Sequence, residues 1–236
     1  MLIKVFYRVK SIVMRIIKIF GFSTVKVVRF NYDDWLKRAQ KGEFQFHLRD
    51  EWRQTEDFMD QTIKLFDHFG FERNQYDNKT IIDLGAGSKL RSKYFLGAKI
   101  IAIEPLAEKF LRDITWCDLN DANELYSVPA ENLIEQCYNL ADLLISINVL
   151  DHCYDFEQII KNIVSYLKDD GIAFLSFDKH EFVDDMHPLQ LDEEACEEIF
   201  KAAGLNIDFF SKGANDILKT YGHGPYCMNY TLSRVK

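Results

Sequence analysis

The chain has 236 residues, of which 47% are hydrophobic and 28% are charged, and its formal net charge is −8. This length and apolar content predict one domain with a substantial core. Four prolines and eleven glycines are too few for long disordered segments. The acidic balance argues against a nucleic-acid partner, because phosphate binding requires a broad basic surface. The five cysteines are scattered without a C-x-x-C pair, so we predict no disulfide framework and no metal site, and we expect a reducing, cytoplasmic setting.

The first 30 residues differ in charge from the rest of the chain. They carry seven of the 29 basic residues and no acid, whereas the remaining residues have a net charge of −15. At about 100° per residue, one narrow helical face collects Lys4, Arg8, Ser11, Arg15 and Lys18, and apolar residues fill the rest. We therefore predict a basic amphipathic helix within residues 1–30. Its interspersed charges exclude a transmembrane span and a signal peptide.

Two partners suit residues 1–20 of this helix. A basic amphipathic helix can lie in the headgroup region of an anionic bilayer, which would make the protein peripheral at the inner face of the membrane. The wide apolar arc equally suits packing on the protein's own core or on a second copy in a homo-oligomer. The sequence leaves both alternatives open.

Residues 31–75 are predicted to form a helical cap or lid. This segment contains acidic and aromatic helical stretches that include Trp35, Trp52 and Phe58. Residues 76–236 follow without a Pro/Gly-rich linker or an internal repeat. We therefore expect the cap to precede a single ligand-binding domain.

The most informative stretch is the sequence IIDLGAGS at residues 81–88. Its apolar run predicts a buried parallel strand, and Gly85 and Gly87 let the backbone turn sharply and approach a ligand closely. A second apolar run, KIIAI, ends in Glu104 and Pro105. An acid at the tip of the second strand is where nucleoside-binding α/β folds hold ribose hydroxyls.

Two kinds of nucleotide site compete at this motif. A dinucleotide fingerprint requires a third glycine, G-x-G-x-x-G, beneath the pyrophosphate. Leu90 stands at that position. Asp83 lies two residues before the first glycine, where a carboxylate suits a positively charged ligand and is unhelpful to a pyrophosphate. The residues therefore favour a cationic ligand over a dinucleotide.

The set DLGAGS followed by IEP resembles the first two motifs of class I S-adenosylmethionine-dependent methyltransferases, in particular type-11-like domains. The resemblance implies S-adenosylmethionine as the cofactor. It places the methionine part of this cofactor beside the glycine loop, which comprises Asp83, Gly85, Ala86 and Gly87. It assigns the ribose to Glu104, which Pro105 follows.

The resemblance extends over residues 80–178. After a short third strand at residues 125–128, it implies that Ala130 and Glu131 flank the adenine. The apolar run at residues 141–150 predicts a central strand, and Asn148 near its end belongs to the implied cofactor site. An amphipathic helix should follow, with Gly171 as its C-cap, and then a fifth strand at residues 172–177.

The implied architecture is α/β and Rossmann-like. It has a mostly parallel seven-stranded sheet with an antiparallel final strand and helices on both faces, and residues 76–236 form the cofactor-binding methyltransferase domain.

The acceptor side is less explicit in the sequence. Loops at the carboxyl ends of parallel strands line the ligand crevice, and residues 178–189 carry His180 and His187 there. Histidine suits a general base for oxygen methylation at neutral pH, so His187 is the first candidate and His180 the second. His152 is interpreted as architectural. The turn-rich loop at residues 221–226 is a second candidate for substrate contact.

The expected activity is O-methylation of a sugar, a surface-polymer precursor or another small molecule. One alternative is a lipid or quinone methyltransferase at the membrane surface, acting on a lipid-linked acceptor. Another alternative is a catalytically silent methyltransferase-like partner subunit.

Overall fold

The computed structural model describes residues 26–27, 30–180, 182–212 and 227–235. The helices among them are α1 (Tyr32–Lys37), α2 (Ala39–Arg49), α3 (Glu56–His68), α4 (Ala107–Asp113), α5 (Phe156–Tyr166) and α6 (Glu193–Ala202). The strands are β1 (Lys26–Val27), β2 (Thr80–Leu84), β3 (Lys99–Ile103), β4 (Glu124–Tyr126), β5 (Ala141–Ile147), β6 (Leu167–Asp178), β7 (Leu189–Gln190), β8 (Leu205–Lys212) and β9 (Cys227–Arg234). The predicted helix at residues 1–20 and the loop at residues 221–226 lie outside this described part.

Seven strands form one sheet in the order β4-β3-β2-β5-β6-β9-β8. Strands β2 to β6 run parallel to one another, and β9 runs antiparallel to both β6 and β8. The chain builds outward from β2 to β4 and then returns to β5 on the other side of β2. Ligands in open α/β sheets bind at such a reversal. The topology confirms the predicted fold class, and it leads us to expect the ligand site at the carboxyl ends of β2 and β5.

The apolar runs of the central strands are explained by burial on both faces of the sheet. Successive side chains of a strand point to opposite faces. Accordingly, Ile82 and Leu144 join the core beneath α5, whereas Ile81 and Leu143 join a second core with Phe66 of α3. These side chains are fully buried. A strand that faces two cores has no polar face to present to solvent, which is why its sequence lacks alternation.

The N-terminal helices pack over the carboxyl ends of the parallel strands. Phe44 of α2 stacks on Phe110 of α4 with ring centroids 6.2 Å apart. Gly42 of the same helix approaches Met186 so closely that a Cβ at this position would lie 2.6 Å from the Met186 Cγ. The loop after β6 is therefore held against α2. Among the described residues, no helix combines the length and apolar content needed to span a bilayer.

Several predicted boundaries are wrong: β5 ends at Ile147 and not at residue 150, and β6 begins at Leu167 and not at residue 172. Helix α5 ends at Tyr166 and β6 begins at once, so Gly171 lies within a strand and is not a helix C-cap. A Cβ on Gly171 would collide with the carbonyl oxygen of Ala141, so this glycine admits close strand pairing at a shift in register. The third parallel strand covers Glu124–Tyr126 and ends two residues before the predicted limit.

Candidate functional site

The loop after β2 turns sharply at the predicted glycines. Gly85 and Gly87 have φ angles of +73° and +66°, in the left-handed region that other residues avoid. A Cβ on Gly85 would overlap the side chain of Val149, and a Cβ on Gly87 would lie 2.8 Å from the Cε1 atom of His47. Both positions therefore require glycine for conformation and for space.

Asp83 is buried at the end of β2, and its carboxylate has protein partners. The Oδ2 atom accepts hydrogen bonds from the backbone N–H of Ser92 at 3.2 Å and from its hydroxyl at 2.7 Å. Burial raises the pKa of Asp83 to about 6, against the effect of these hydrogen bonds. The hydrogen bonds orient the carboxylate beside the glycine loop, where it lines the cavity described below.

Glu104 follows β3 and connects to the glycine loop directly. Its Oε2 atom accepts a hydrogen bond from the backbone N–H of Gly87 at 2.9 Å, and its Oε1 atom accepts one from Leu106 at 2.9 Å. Burial raises the pKa of Glu104 to about 7, although both hydrogen bonds oppose that rise. Glu104 and Pro105 line the same cavity as Gly85 and Gly87.

Glu131 lies in that cavity as well, next to Ala130. Its Oε1 atom accepts hydrogen bonds from the backbone N–H groups of Tyr154 at 2.9 Å and Asp155 at 3.3 Å. Burial raises the pKa of Glu131 to about 7. The two predicted acids are thus buried carboxylates held by main-chain donors in one cavity.

Asn148, after β5, adopts a conformation that is rare for a residue with a side chain. Its φ angle is +59°, and its backbone N–H donates to Ser176 at 2.7 Å. Its side-chain Oδ1 atom is buried and accepts no hydrogen bond from the described residues. An unused acceptor on a strained backbone is typical of a ligand site.

Two adjoining cavities meet at these residues. The first is lined by Asp83 and by the loop after β2, and the second is lined by Glu104 and Glu131. Their common wall consists of Glu43, His47, Gly85, Gly87 and Asn148. All the residues predicted for the cofactor site line one or both cavities.

Several lining residues were not assigned from the sequence. Among them are Glu43, His47, Arg53 and Arg91. Glu43 and His47 are spaced four residues apart, which places them on one helical face. This spacing was the feature of the sequence that could have indicated their shared position in the site. Arg53 and Arg91 carry no motif, although both guanidinium groups lie over the ring of Phe58, at 5.4 and 4.5 Å from its centroid.

Three histidines form a cluster beside the second cavity. The rings of His180 and His187 stack with centroids 3.9 Å apart, and the rings of His152 and His187 are 4.5 Å apart. Both predicted bases thus lie in contact, and His152, which also lines the second cavity, joins them. The two loop histidines were predicted from the sequence, whereas His152 was interpreted as architectural and was not grouped with them.

Each histidine of this cluster contacts a carboxylate. The Nδ1 atom of His152 lies 2.9 Å from Glu43, and the Nδ1 atom of His187 lies 3.0 Å from Asp184. The Nε2 atom of His180 lies 2.7 Å from the Oδ2 atom of Asp151.

Burial and charge shift the pKa values of this cluster. Burial alone lowers the pKa of His152, but the negative charges of Glu43 and Asp151 outweigh it and raise the pKa to about 10. Burial and the neighbouring His152 lower the pKa of His187. Asp151 has a pKa of about 2, because the surrounding histidines outweigh the effect of burial.

Comparison of the sequence with family models and with curated proteins found no match. Comparison of the structure with solved structures found many. The 1,6-didemethyltoxoflavin-N1-methyltransferase of Burkholderia thailandensis, solved with 1,6-didemethyltoxoflavin and S-adenosylhomocysteine, is similar with a TM-score of 0.57 and 16% identity. The match covers 90% of this chain and 95% of that one.

Two further solved structures extend the comparison. Phosphoethanolamine N-methyltransferase 2 of Haemonchus contortus, in complex with S-adenosyl-L-methionine, matches with a TM-score of 0.58 and 15% identity over 88% of this chain and 60% of that one. The [4+2]-cyclase SpnF matches with a TM-score of 0.54 and 17% identity over 74% of this chain and 81% of that one. The sheet order, the glycine loop and these similarities agree: the chain has the fold of the class I S-adenosylmethionine-dependent methyltransferases.

Proposed function

We propose that this protein is an S-adenosylmethionine-dependent methyltransferase. The observation that carries the proposal is the position of Glu104, a buried acid at the end of β3 that accepts a hydrogen bond from Gly87 and lines the second cavity. The fold family offers its nucleoside site at this point. Similar structures of this fold contain S-adenosylmethionine or its demethylated product, which supports the same cofactor here.

The two cavities suit the two halves of this cofactor. Glu104 and Glu131 offer carboxylate oxygens to the ribose hydroxyls and to the adenine amino group in the second cavity. The first cavity offers Asp83 near the ammonium and sulfonium charges. Arg53 and Arg91 line the same cavity, where a guanidinium can bind the α-carboxylate of the methionine part.

For the acceptor, we propose a hydroxyl group of a sugar, a surface-polymer precursor or another small molecule. In this reaction the acceptor oxygen takes the methyl group from the sulfonium, the carbon–sulfur bond breaks, and the hydroxyl proton passes to a base. The products are a methyl ether and S-adenosylhomocysteine. His187 and His180 are the candidate bases, because each faces a carboxylate that can orient its ring.

Two other functions make distinguishable predictions. A lipid or quinone methyltransferase would act on an acceptor at the membrane surface, with the basic residues 1–20 docked on anionic lipid. A catalytically silent partner subunit would bind the cofactor without turning it over. The left-handed conformation of Asn148 and its unused Oδ1 atom support ligand binding, which both functions share, so turnover is the property that separates the enzyme from the silent subunit.

Calorimetry with S-adenosylmethionine and S-adenosylhomocysteine tests the cofactor assignment. We expect both to bind, and Glu104→Ala to lower the affinity by about 1.5–3 kcal/mol, because charge-assisted hydrogen bonds are lost. The surface variant Glu108→Ala is the control, since this side chain is exposed on α4. Unchanged affinity in Glu104→Ala, or preferred binding of a nicotinamide dinucleotide, would contradict the assignment.

Transfer of a labelled methyl group into fractionated cell-envelope glycans and lipids tests the acceptor. A labelled glycan supports the proposed class, a labelled lipid favours the membrane-surface alternative, and no labelled fraction despite cofactor binding favours the silent subunit. His187→Ala and His180→Ala should retain cofactor affinity, while at least one loses about 10²- to 10⁴-fold in rate. Full activity in the double variant would exclude both as bases.

Vesicle co-sedimentation tests the membrane partner. If residues 1–20 dock on a bilayer, binding should rise with anionic lipid, fall with salt and disappear when the segment is deleted. If they pack on the core or on a second copy, deletion should instead lower the melting temperature or change the oligomeric state, without any dependence on lipid.

A further inference from the structure

We propose that Asp151, His152 and His187 form a binding site for a divalent transition-metal ion at the edge of the cofactor cavity. The three side chains each offer one ligand atom, and these atoms lie within 4.8 Å of one another. Ligands around zinc, at about 2.0–2.2 Å from the metal, are about 3–4 Å apart. Closure by about 1 Å would therefore complete the site.

The first observation that favours an ion is the presence of buried polar atoms without partners. Asp151 is 1% exposed and His152 is 8% exposed. The Oδ1 atom of Asp151 and both ring nitrogens of His152 make no hydrogen bond with the described residues, although the Nε2 atom of His152 lies 3.7 Å from the Oδ2 atom of Asp151. Leaving such atoms unsatisfied is costly, and a cation bound between the Oδ1 atom of Asp151 and the Nε2 atom of His152 would satisfy these two atoms.

The second observation is the carboxylate behind each histidine. Glu43 lies 2.9 Å from the Nδ1 atom of His152, and Asp184 lies 3.0 Å from the Nδ1 atom of His187. A carboxylate against one ring nitrogen orients the ring and leaves the other nitrogen, Nε2, as the ligand atom. Metal-binding histidines almost always donate their other ring N–H to a carboxylate, a backbone carbonyl or a water molecule, and a carboxylate fills that place here.

The third observation is the crowding of imidazoles among carboxylates. The ring of His187 lies 4.5 Å from that of His152 and 3.9 Å from that of His180. Glu43, Asp151 and Asp184 lie against these rings, so three carboxylates converge on three imidazoles. A divalent cation at this point would offset the charge of the carboxylates.

The ligand set indicates the class of ion. Two imidazoles and one carboxylate suit zinc, iron, cobalt or nickel, whereas magnesium and calcium prefer oxygen ligands. Three protein ligands leave an open coordination position, as in catalytic zinc sites. His152 also lines the second cavity, so the open position is available to water or to an acceptor oxygen.

A bound metal ion would change the role of His187 from candidate base to metal ligand. Its Nδ1 atom is engaged by Asp184, so its Nε2 atom cannot both bind a metal and accept a proton. In the metal-loaded protein, His187 is a ligand, and a hydroxyl bound at the open position would be acidified by the ion. His180, bonded to Asp151 at 2.7 Å, then remains as the histidine that can take the proton.

Titration of the full-length, chelator-treated protein with Zn²⁺ and with Co²⁺ tests the site. We expect one equivalent of either ion to bind without any cofactor present, with Zn²⁺ displacing Co²⁺ and abolishing its visible absorption. His187→Ala and Asp151→Asn should each lower the affinity by at least tenfold, and Glu43→Gln should lower it about tenfold through His152. His68→Ala, an exposed histidine on α3, is the matched control and should bind as the wild type does.

The experiment tests the metal site and the cofactor site independently. Affinity for S-adenosylhomocysteine is measured on the same samples with and without metal, which also reports whether each variant is folded. No stoichiometric binding, equal binding in the double variant His187→Ala/Asp151→Asn, or equal preference for Mg²⁺ would overturn the metal site while the methyltransferase proposal stands. Metal binding without cofactor binding would overturn the methyltransferase proposal alone.

Discussion

The carboxylate of Glu104 accepts a hydrogen bond from the backbone N–H of Gly87 at 2.9 Å. The acid that ends β3 therefore fixes the glycine loop that follows β2, although 17 positions separate them in the chain. A donor and an acceptor that are already oriented lose less entropy when a ligand arrives. The two sequence motifs are thus parts of one preorganised structure.

Gly87→Ala tests this loop. Because φ is +66° and the new Cβ would lie 2.8 Å from the Cε1 atom of His47, the variant suffers both strain and crowding. Gly70→Ala is a matched control, because its φ is +76° and no atom lies within 4 Å of its added Cβ. Both should lose about 1–2 kcal/mol of unfolding free energy from the left-handed conformation. Only Gly87→Ala should also weaken S-adenosylhomocysteine binding in calorimetry. Equal cofactor affinity in the two variants would show that the loop accommodates a Cβ at position 87 without disturbing the cofactor site.

Arg53→Gln tests the carboxylate end of the proposed cofactor. Loss of a charged hydrogen bond to the α-carboxylate should weaken S-adenosylhomocysteine binding about 10- to 150-fold. Binding of 5′-methylthioadenosine, which lacks the amino-acid part, should change little. Arg38→Gln, which removes an exposed ion pair with Asp185, is the control and should affect neither ligand. If the affinities for both ligands fall together, Arg53 supports the cavity wall through Asp50 and does not bind the carboxylate.

The cofactor side was predictable because its determinants are local. Asp83, Gly85 and Gly87 lie within five positions, and Glu104 follows the next strand, so parallel pairing of β2 with β3 brings them together. No strand pairing or short spacing of this kind indicates from the sequence that Arg53 lines the same cavity. Its position depends on how the N-terminal helices pack across the sheet, which side-chain volume and shape decide.

The acceptor side was predictable only in part for the same reason. His180 and His187 share one loop, and the end of a parallel strand directs that loop to the crevice. The carboxylate behind His152, however, comes from Glu43, more than 100 positions earlier on α2. The i,i+4 spacing of Glu43 and His47 was visible in the sequence. The sequence did not show which part of the sheet and its loops this helical face would contact.

Glu131→Gln tests the consequence of burying a carboxylate. The Oε1 atom accepts both backbone hydrogen bonds, so the amide preserves them and removes only the charge. Burial raises the pKa in the folded protein to about 7, above the value of 4.5 for an exposed glutamate.

The folded state of the wild type therefore binds more protons than the unfolded state between these values, and its stability falls as pH rises from about 4.5 to about 7. Urea unfolding of cofactor-free protein should show that Glu131→Gln gains up to about 3 kcal/mol relative to wild type between pH 5 and pH 8. Glu108→Gln on the exposed face of α4 should show no such gain. Parallel pH profiles for wild type and Glu131→Gln would mean that the carboxylate is better solvated than its burial implies.

Trp35→Phe tests whether the N-terminal cap is anchored to the site. The indole Nε1–H of Trp35, on α1, donates to the backbone carbonyl of His152 at 2.8 Å. Phenylalanine retains most of the packing but leaves that buried carbonyl without its donor, so we expect a loss of about 1–3 kcal/mol in urea unfolding.

Trp116→Phe is the matched control for this change. The Nε1 atom of Trp116 is buried without a partner among the described residues, so removing its N–H costs no hydrogen bond. The difference between the two variants measures the Trp35–His152 hydrogen bond together with the deeper burial of Trp35, which is 3% exposed. Trp35→Phe should also increase proteolysis of residues 31–49, because α1 and α2 lose a tether to the loop after β5. Equal losses of stability in both variants would mean that the hydrogen bond contributes nothing to holding the cap.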